Sequence, residues 1–423
     1  MNEPTDTFTS PALRELAARG LIEQMSDAAA IDAALAAGPV TFYIGYDPTA
    51  PSLHVGNLVC IMAMRRLQRL GHKPIVVMGS GTARIGDPSG KTEMRKMLDG
   101  EAIAANVAHI STVFGRFLEL GDTGNGAVVL DNHTWLSQLG YLDFLREVGV
   151  HFTVNRMVAT KTYRDRLDAE EPLSFIEFNY QLLQAYDYWR LYSERGCTLQ
   201  LGGGDQWGNI IAGVELVRRM GIGAAGPAHC LTFPLLTTAD GQKMGKTVKG
   251  AVWLDPTMCA PFDYYQFWIG CHDGDVRRLL SIYTDLPTDE IDVLCQAEGA
   301  ALREVKSRLA YEATTLCHGE DAAIAARDAA VQAFGGGTDW SAVPQITLAV
   351  ASIRVVDLVV DPQVAAFPSR RQAKERIEAG AVKLDGEPCR EADRVLTADA
   401  FADRTVRLQA GKKLRLRVVL GGD

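Results

Sequence analysis

A strand, a glycine-rich loop, a helix and a second strand follow one another closely near the start of the chain. Residues 40–44 form a short apolar run rich in residues that favour strands, and the loop 45–52 follows it. Residues 59–70 show helical periodicity and end before Gly71, and residues 73–78 form a second apolar run. Because adjacent strands joined through a helix are typically parallel, this order predicts a βαβ unit in a parallel sheet.

The same order recurs later in the chain. A short strand at 198–201 leads into a glycine-rich loop at 202–209, and an amphipathic helix at 210–220 follows. Two such halves predict an α/β fold with a doubly wound, Rossmann-like parallel sheet over residues 1–235, whose ligands bind at the carboxyl ends of the strands. The segment between the halves, about 141–192, is rich in aromatic residues and is predicted to be a helical insertion.

Three further segments complete the predicted organisation. Residues 236–260 are expected to form a mobile loop and linker, residues 261–340 an α-helical domain, and residues 351–423 a small α+β domain. Within the last of these, a capped helix at 369–380 begins with Ser and ends with Gly. The Asp-Gly pair at 385–386 then predicts a hairpin turn.

Charge is distributed unevenly along the chain, whose net charge is −9. Residues 351–423 hold 14 Lys and Arg against 11 Asp and Glu, whereas the preceding 350 residues hold 29 against 41. The stretch 404–417 contains six basic residues and no acid. A basic terminal module on an acidic body favours an appended domain that binds a polyanion, although a solvated strand face explains the same pattern.

Several classes of protein are disfavoured. The aliphatic runs are too short to cross a membrane and the N-terminus has no signal pattern, so a cytoplasmic protein is expected. The eight cysteines include no C-x-x-C pair, which disfavours structural zinc and a redox motif. The dinucleotide fingerprint fails because Arg84 stands where its last glycine is needed. The phosphate-loop pattern fails because Ile85 replaces its first glycine.

Two short motifs carry the chemistry. His54-Val-Gly-Asn57 opens the first predicted helix, where a histidine and the helix N-terminus together favour phosphate. Lys243-Met-Gly-Lys-Thr247 lies in a loop and offers two lysines that can clamp a polyphosphate when the loop closes. Each motif alone is a weak signal, because a surface histidine or a solvated basic loop also explains it.

Together, about 190 residues apart on a two-halved α/β domain, the motifs resemble the His-Ile-Gly-His and Lys-Met-Ser-Lys-Ser signatures of the class I aminoacyl-tRNA synthetases. Four further stretches are similar to bacterial-type tyrosyl-tRNA synthetases: Tyr43-Ile-Gly-Tyr-Asp-Pro-Thr49, Ile85-Gly-Asp-Pro-Ser-Gly-Lys91, Tyr180-Gln-Leu-Leu-Gln-Ala-Tyr-Asp187 and Leu201-Gly-Gly-Gly-Asp-Gln-Trp-Gly-Asn209. The tail around 369–388 is similar to the S4 RNA-binding module of that family. The resemblance covers essentially the whole chain.

The chain departs from the class signatures in both motifs. Asn57 stands in place of the second histidine, and it can donate a hydrogen bond but cannot carry charge. Gly245 and Thr247 stand where the class consensus has serines. Both lysines of the second motif are retained, but a hydroxyl role at residue 245 is in doubt.

The resemblance implies a two-step reaction: tyrosine and ATP form tyrosyl-adenylate and pyrophosphate, and the tyrosyl group then passes to the 3′ end of tRNA(Tyr). The catalytic residues it implies are Thr49, His54, Asn57, Lys91, Arg95, Lys243, Lys246 and Thr247. Those implied for tyrosine binding are Tyr43, Asp87, Asn132, Tyr180, Gln184, Asp187 and Gln206. Those implied for ATP binding are Gly45, Asp47, His54, Gly56, Asn57, Gly203, Asp205, Lys243 and Lys246.

The resemblance also implies partners beyond the two small substrates. Mg²⁺ is expected to arrive with ATP, held by phosphates and water, without a metal site of protein ligands. Family members are homodimers, and the stretch 144–158 is a candidate interface that could equally be core. Residues 261–340 correspond to the anticodon-binding domain. The candidate RNA-binding side chains of the tail are Arg370, Arg371, Lys374, Arg407, Lys412, Lys413 and Arg415.

Three alternatives to a tyrosine–tRNA ligase remain open. A tryptophanyl-tRNA synthetase has the same architecture, but Tyr43 and Asp187 suit a phenol and not an indole. A synthetase-like RNA-binding protein without activity is disfavoured because His54, Lys243 and Lys246 are present. A protein that had lost the activity would have no need to keep them. A nucleotidylyltransferase on the same fold is disfavoured by the helical domain and the S4-like tail.

Overall fold

The structure is a computed structural model. It describes residues 7–89, 98–221, 223, 225–237, 244–247, 250–299, 301–334, 340, 343–398, 401, 404–411 and 414–421. Among the helices of these residues, none is long and apolar enough to cross a membrane.

A six-stranded sheet forms the centre of the N-terminal part among the described residues. In chain order its strands are β1 (Gln24–Met25), β2 (Thr41–Tyr46), β3 (Lys73–Met78), β4 (Val128–Asp131), β5 (Cys197–Gly203) and β6 (His229–Phe233). Their spatial order is β1-β6-β5-β2-β3-β4, and all neighbours are parallel except β1 and β6. The doubly wound parallel sheet is confirmed, with an antiparallel edge strand that the sequence analysis did not predict.

Helices cover this sheet. They are α1 (Pro11–Ala18), α2 (Ala28–Ala37), α3 (Val55–Arg69), α4 (Gly100–Phe117), α5 (His133–Leu136), α6 (Tyr141–Glu147), α7 (Val154–Val158), α8 (Lys161–Asp168), α9 (Phe175–Arg195) and α10 (Trp207–Met220). β3 is buried from Pro74 to Met78, as expected for a strand covered on both faces. The predicted βαβ unit is β2-α3-β3, and the second half is β5-α10-β6.

The strand order reverses between β2 and β5. From β2 the chain builds outward through β3 to β4, and from β5 it builds in the opposite direction to β6. The connections that follow β2 and β5 therefore diverge, which leaves a crevice at the carboxyl ends of these two strands. Asp47 follows β2, and Gly203 ends β5, at the edges of this crevice.

The described residues between 261 and 334 form helices joined by short loops, with no strand among them. They are α11 (Pro261–Ile269), α12 (Val276–Tyr283), α13 (Thr288–Leu294), α14 (Ala301–His318) and α15 (Glu320–Phe334). Large aromatic side chains, including Tyr264, Trp268 and Tyr283, are fully buried here. The segment before them, predicted as a loop and linker, includes a short hairpin of β7 (Lys246–Thr247) and β8 (Gly250–Ala251).

The C-terminal part has its own apolar core. It contains β9 (Gln345–Leu348), β10 (Ser352–Arg354), α16 (Val355–Val360), α17 (Arg370–Glu378), β11 (Val382–Leu384), β12 (Glu387–Cys389), β13 (Val395–Thr397), β14 (Thr405–Ala410) and β15 (Leu414–Leu420). One sheet runs β12-β11-β14-β15-β9, and β10 pairs with β13. Because β9 pairs with β15, this unit starts before residue 351, where the sequence analysis placed its boundary.

Buried arginines join the helical part to the N-terminal part. Arg66 of α3 is 4% exposed and donates to the carbonyl oxygens of Ser281 (3.0 Å), Ile282 (2.9 Å) and Thr284 (2.8 Å). These carbonyls lie at the C-terminal end of α12, where helical carbonyl groups lack partners and a cation is favoured. The guanidinium group therefore caps α12 and fastens it to α3.

Replacing Arg66 with Leu should lower the free energy of unfolding by about 3 kcal/mol, because the carbonyl of Ile282 loses its side-chain donor and those of Ser281 and Thr284 retain only Arg19. Urea unfolding followed by tryptophan fluorescence measures the change. Arg69→Leu is the control: Arg69 is 59% exposed and pairs with Asp285 at 2.9 Å. An exposed pair contributes about 0–1 kcal/mol, so equal losses in the two variants would contradict the capping role.

Candidate active site

The crevice between β2 and β5 contains a cavity of about 560 Å³. It is lined by most of the predicted site residues that the structure describes. They are Tyr43, Gly45, Asp47, Thr49, His54, Gly56, Asn57, Asp87, Asn132, Tyr180, Gln184, Asp187, Gly203, Asp205 and Gln206. The chain thus brings together side chains that are up to 163 positions apart in sequence (from 43 to 206), because the carboxyl ends of parallel strands meet at one edge of the sheet.

One face of α9 forms a wall of the cavity. Tyr180, Gln184 and Asp187 all line it, as their spacing of four and three residues predicts. The helix begins at a capping box in which Ser174 and Glu177 bond each other's backbone nitrogen, and it ends at Gly196, whose φ is 61°. Both ends of this wall are therefore defined by local sequence.

The carboxylate of Asp187 is buried at the base of the cavity. It is 4% exposed, and it accepts hydrogen bonds from Asn132 Nδ2 at 2.9 Å and Trp135 Nε1 at 2.7 Å. Burial raises the pKa of Asp187 to about 7, the two hydrogen bonds oppose this, and the charges of Asp47 and Asp131 add to it. The group therefore sits where a further hydrogen-bond donor would stabilise its ionised form.

Tyr43 lies beside this carboxylate. Its side chain is 1% exposed, and its hydroxyl has no hydrogen-bond partner among the described residues. Burial, and then the nearby charge of Asp187, raises the pKa of Tyr43 well above its usual range. A buried hydroxyl costs free energy unless it is hydrogen-bonded, so Tyr43 and Asp187 together present a polar end that a ligand hydroxyl can complete.

Trp135 is a site residue that the sequence analysis did not assign. It follows Asn132 by three positions, and both side chains donate to the same carboxylate. A signal was available, because the indole N–H of a buried tryptophan needs an acceptor and the nearby aspartates are candidates. Which aspartate accepts it depends on how α5 packs against α9, which local sequence does not show.

Asp47 is held from two sides. Tyr180 donates its hydroxyl to Asp47 Oδ2 at 2.8 Å, and Thr82 donates to Oδ1 at 2.7 Å. Gly79 is required beside it, since a Cβ atom there would lie 2.0 Å from Asp47 Oδ1. Asp47 and Tyr180 therefore form one fixed unit in the middle of the cavity.

Asp87 also has both carboxylate oxygens engaged. It accepts from the backbone nitrogen of Ser89 at 2.9 Å and from Gln206 Nε2 at 2.8 Å, with Asn209 Nδ2 at 3.5 Å. Asp87 is 7% exposed. Ser89 and Asn209 were not predicted as site residues, and they orient a carboxylate that was.

His54 and Asn57 form a capping box at the start of α3. The imidazole Nδ1 of His54 accepts from the backbone nitrogen of Gly56 at 3.0 Å, and Asn57 Oδ1 accepts from the backbone nitrogen of His54 at 3.1 Å. Because Nδ1 is an acceptor, the proton of the neutral ring belongs on Nε2. The amide of Asn57 thus has a structural use that requires no charge.

The second motif packs against the first. Gly245 has a φ of 86°, and a Cβ atom there would lie 2.8 Å from the backbone nitrogen of Gly56. A serine at this position is incompatible with the observed packing, which accounts for the departure from the class consensus. Lys246 and Thr247 belong to β7, although the structure does not describe their side chains, and Lys91, Arg95 and Lys243 lie outside the described residues.

Basic side chains of the C-terminal part lie on two surfaces. Arg370, Arg371 and Lys374 project from α17, which packs on the core through Ala373 and Ile377. On β14 and β15 the core-facing residues are Val406, Leu408, Leu416 and Val418, so by alternation the opposite face of the sheet carries Arg407 and Arg415. The candidate RNA-binding side chains of the tail are therefore divided between a helix and the far side of the sheet. Lys412 and Lys413 lie outside the described residues.

Comparison with known proteins gives the same identification as the motifs. Residues 35–335 match the family model "tRNA synthetases class I (W and Y)". The chain belongs to this family. Residues 338–417 match the model of the C-terminal domain of tyrosine–tRNA ligases.

Two curated relatives and one solved structure narrow the family assignment to the tyrosine-specific members. The tyrosine–tRNA ligase of Caulobacter sp. strain K31 is 49% identical over 411 residues, covering 96% of this chain and 97% of that protein. That of Zymomonas mobilis is 50% identical over 406 residues, with the same coverage. A C-terminally truncated mitochondrial tyrosyl-tRNA synthetase from Aspergillus nidulans superposes with a TM-score of 0.69 at 29% identity, covering 76% of this chain and 93% of that one.

These relatives support tyrosine–tRNA ligase activity for this chain, with tyrosine, ATP and tRNA as its substrates. The predicted enzyme class is confirmed. The tryptophanyl alternative is disfavoured, because these relatives of high coverage are tyrosine–tRNA ligases.

The affinity for tyrosine should depend on pH. Because the pKa of Asp187 in the empty site is raised to about 7, its carboxyl is mostly neutral below that pH and ionised above it. Only the ionised group accepts from Asn132, Trp135 and a phenol hydroxyl at once, so tyrosine binding should strengthen as pH rises through about 7. Calorimetric titration between about pH 5.5 and about pH 8.5 measures this.

Asp187→Asn is the control for this titration. The variant should bind tyrosine weakly, with no inflection near pH 7, because the titrating group is gone. Wild-type affinity that stays flat over the same interval would contradict a titrating Asp187 in the tyrosine site.

Proposed function

We propose that the cavity between β2 and β5 is where tyrosine is activated by ATP. The tyrosine carboxylate attacks the α-phosphorus of ATP, the bond to the β-phosphate oxygen breaks, and pyrophosphate leaves. The nucleophile belongs to the substrate, so the protein needs to position groups and to stabilise charge on the phosphates. The observation that carries this proposal is the buried pair of Tyr43 and Asp187, whose unfilled hydrogen bonds match a phenol.

Recognition of the phenol is assigned to this pair. The substrate hydroxyl donates to Asp187 and accepts from Tyr43, while Asn132 and Trp135 keep the carboxylate in place. Phenylalanine lacks the hydroxyl, so it would leave the hydroxyl of Tyr43 unpaired and Asp187 without a donor beyond Asn132 and Trp135. Tyrosyl-tRNA synthetases are the known example of such discrimination, which is on the order of 10⁵-fold.

The amino group of tyrosine is assigned to the region of Asp87, Tyr180 and Gln184. Asp87 supplies negative charge for an ammonium group and is oriented by Ser89 and Gln206. Tyr180 and Gln184 are on the α9 wall that ends at Asp187. An amino acid extended along this wall therefore places its carboxylate towards the open part of the cavity, where ATP enters.

ATP is assigned to the remaining part of the cavity. Gly45, Asp47, Gly203, Asp205 and Gln206 border the region proposed for the ribose, the adenine and the carboxylate side of tyrosine. The glycines leave room for close approach of the ligand to the backbone.

The triphosphate is assigned to the N-terminal end of α3. There the ring proton on Nε2 of His54 and the positive end of the helix both favour phosphate, and Thr49 and Gly56 lie on the same side of the cavity. Asn57 is assigned to fixing this end of the helix. The cations proposed to close on pyrophosphate are Lys91, Arg95, Lys243 and Lys246, with Thr247 beside them.

Mg²⁺ is expected to enter with the phosphates of ATP. Two carboxylates of the cavity already have hydrogen-bond donors: Asp47 accepts from Thr82 and Tyr180, and Asp87 accepts from Ser89 and Gln206. These contacts favour a metal ion held by the phosphates over one held by protein carboxylates. Among the described residues, no three His, Cys, Asp or Glu side chains form a group able to hold a metal. When bound, the ion would neutralise charge on the phosphates.

The C-terminal unit is proposed to bind the phosphate backbone of tRNA. Arg371 is 92% exposed and Arg370 is 69% exposed on α17, and neither is needed for the core. Exposed arginines of this kind give salt-dependent affinity with little sequence information. The basic side chains are divided between α17 and the outer face of β14 and β15. We assign the RNA contact to α17, because Arg370, Arg371 and Lys374 lie close together on this one helix.

The tyrosine-dependent exchange of labelled pyrophosphate into ATP tests the assignment of the cavity. We expect exchange with tyrosine and none with phenylalanine or tryptophan. Asp187→Ala should lower kcat/KM for tyrosine by at least about 100-fold, because a buried charged acceptor of the phenol is lost. Asp357→Ala, a partly buried carboxylate of the C-terminal unit, is the control, because pyrophosphate exchange does not involve tRNA. Exchange with tryptophan, or full activity of Asp187→Ala, would refute the proposal.

The enzyme is also proposed to be a homodimer. Around α6, α7 and the start of α9, large apolar side chains are exposed: Tyr141 (61%), Leu142 (77%), Leu145 (38%), Val150 (68%), Val154 (61%) and Phe175 (70%). An apolar surface of this extent is unfavourable in water and favours association with a second copy of the same surface. Phe144 belongs to the stretch 144–158, for which interface and core were both left open, and it packs inward against Tyr186.

Leu142→Asp should shift the enzyme from dimer to monomer in analytical ultracentrifugation. A charge at a side chain that is 77% exposed costs the free monomer little, but it is unfavourable once an apolar partner surface covers it. Val293→Asp on α13, at 67% exposure and far along the chain from these helices, is the control and should leave the dimer intact. A monomeric wild-type enzyme, or an unaffected Leu142→Asp, would contradict this interface.

A further inference from the structure

The first residue of α3, Val55, is held from two directions. The backbone nitrogen of Val55 donates to the carbonyl oxygen of Val252 at 2.9 Å, in the segment that follows the second motif. The carbonyl oxygen of Val55 accepts from the hydroxyl of Tyr283 at 3.2 Å. Val55 is fully buried and directly follows His54. The position of the histidine therefore depends on two contacts from outside its own helix.

Tyr283 belongs to the helical part and not to the sheet. It is the last residue of α12, it is 1% exposed, and its ring lies 4.7 Å from that of Trp268. Burial raises the pKa of its hydroxyl, so the hydroxyl remains protonated and acts as a donor. Packing inside the helical part thus determines where this donor meets α3.

α3 is therefore attached to α12 at both of its ends. Near its C-terminal end Arg66 donates to carbonyl groups that follow one another at the end of α12, and Arg65 pairs with Asp285 at 2.7 Å. Near its N-terminal end, the hydroxyl of Tyr283 makes the only side-chain hydrogen bond from α12 to α3 among the described residues. The arginines thus fasten the C-terminal end of α3 to the helical part, and the tyrosine fastens its first turn.

We propose that Tyr283 is a positioning residue for ATP activation, because its hydroxyl fixes the Val55–Gly56 peptide, whose N–H donates to Nδ1 of His54. This inference rests on the phosphate role proposed for His54. A shift of the first turn displaces Nε2 of His54 relative to a phosphate, and small displacements in a positioned site have large effects on rate. The residue does not line the cavity and acts through the helix.

The hydroxyl can be removed without removing the ring. Tyr283→Phe should lower kcat for tyrosine-dependent pyrophosphate exchange about 3- to 10-fold, as expected for one hydrogen bond, and should leave KM for tyrosine unchanged. The KM for tyrosine is unaffected because Tyr43 and Asp187 lie on other elements of the site.

Tyr264→Phe is a matched control. Tyr264 is equally buried and packs on the same Trp268 at 5.8 Å, but its hydroxyl lies near Cys317 inside the helical part. Tyr264→Phe should leave kcat within about 2-fold of wild type, although it removes the same group from the same aromatic cluster. Equal losses of kcat in the two variants would overturn the proposal, since loosening of the helical part would then explain both.

A double-mutant cycle with His54→Ala separates positioning from stability. If Tyr283 acts through His54, then Tyr283→Phe should lower kcat by less than about 2-fold in the His54→Ala background. A loss as large as in the wild-type background would overturn the role of Tyr283 while leaving that of His54 intact. Unchanged exchange in His54→Ala alone would instead refute the proposed role of His54, so the two failures are distinguishable.

Discussion

A carboxylate removed from water lies in the cavity, and much of the site is arranged around it. Asp187 is almost fully removed from water, which raises its pKa to about 7, and it is partly compensated by Asn132 and Trp135. The remaining compensation has to come from a ligand that donates a hydrogen bond. A buried carboxylate that lacks this donor in the empty site and gains it on binding favours a ligand with a phenol hydroxyl over one with an unsubstituted benzene ring.

The second organising element is α3. Its N-terminal end carries the first motif, is capped by His54 and Asn57, and is touched by Gly245 of the second motif. Its other end is attached to α12 by Arg66. A single helix thus connects the first motif with the helical part. Helices are stiff along their length, so the relative placement of these two regions is set by the contacts of α3.

Local patterns predicted the elements around the site well. β3 was predicted with its observed bounds, and the hairpin at 385–386 was confirmed. The helix after β2 was predicted to start four residues later than it does. The antiparallel β1 was missed because a two-residue strand has no periodicity to detect. The C-terminal sheet was predicted to start too late, since β9 joins it by pairing with the last strand of the chain. Such pairing is not visible in the local sequence of either strand.

The sequence by itself determined the family and the reaction, because the two signature motifs and four longer stretches resemble those of tyrosyl-tRNA synthetases and the family match confirms them. It also determined that Tyr180, Gln184 and Asp187 share a helical face, since that follows from the helical repeat alone. Only the tertiary structure decided that Trp135 and Asn132 bond the same carboxylate, that Gly245 packs on Gly56, and that Tyr283 reaches Val55. These contacts join segments distant in sequence, and their geometry arises from how whole helices and strands pack, which no local pattern encodes.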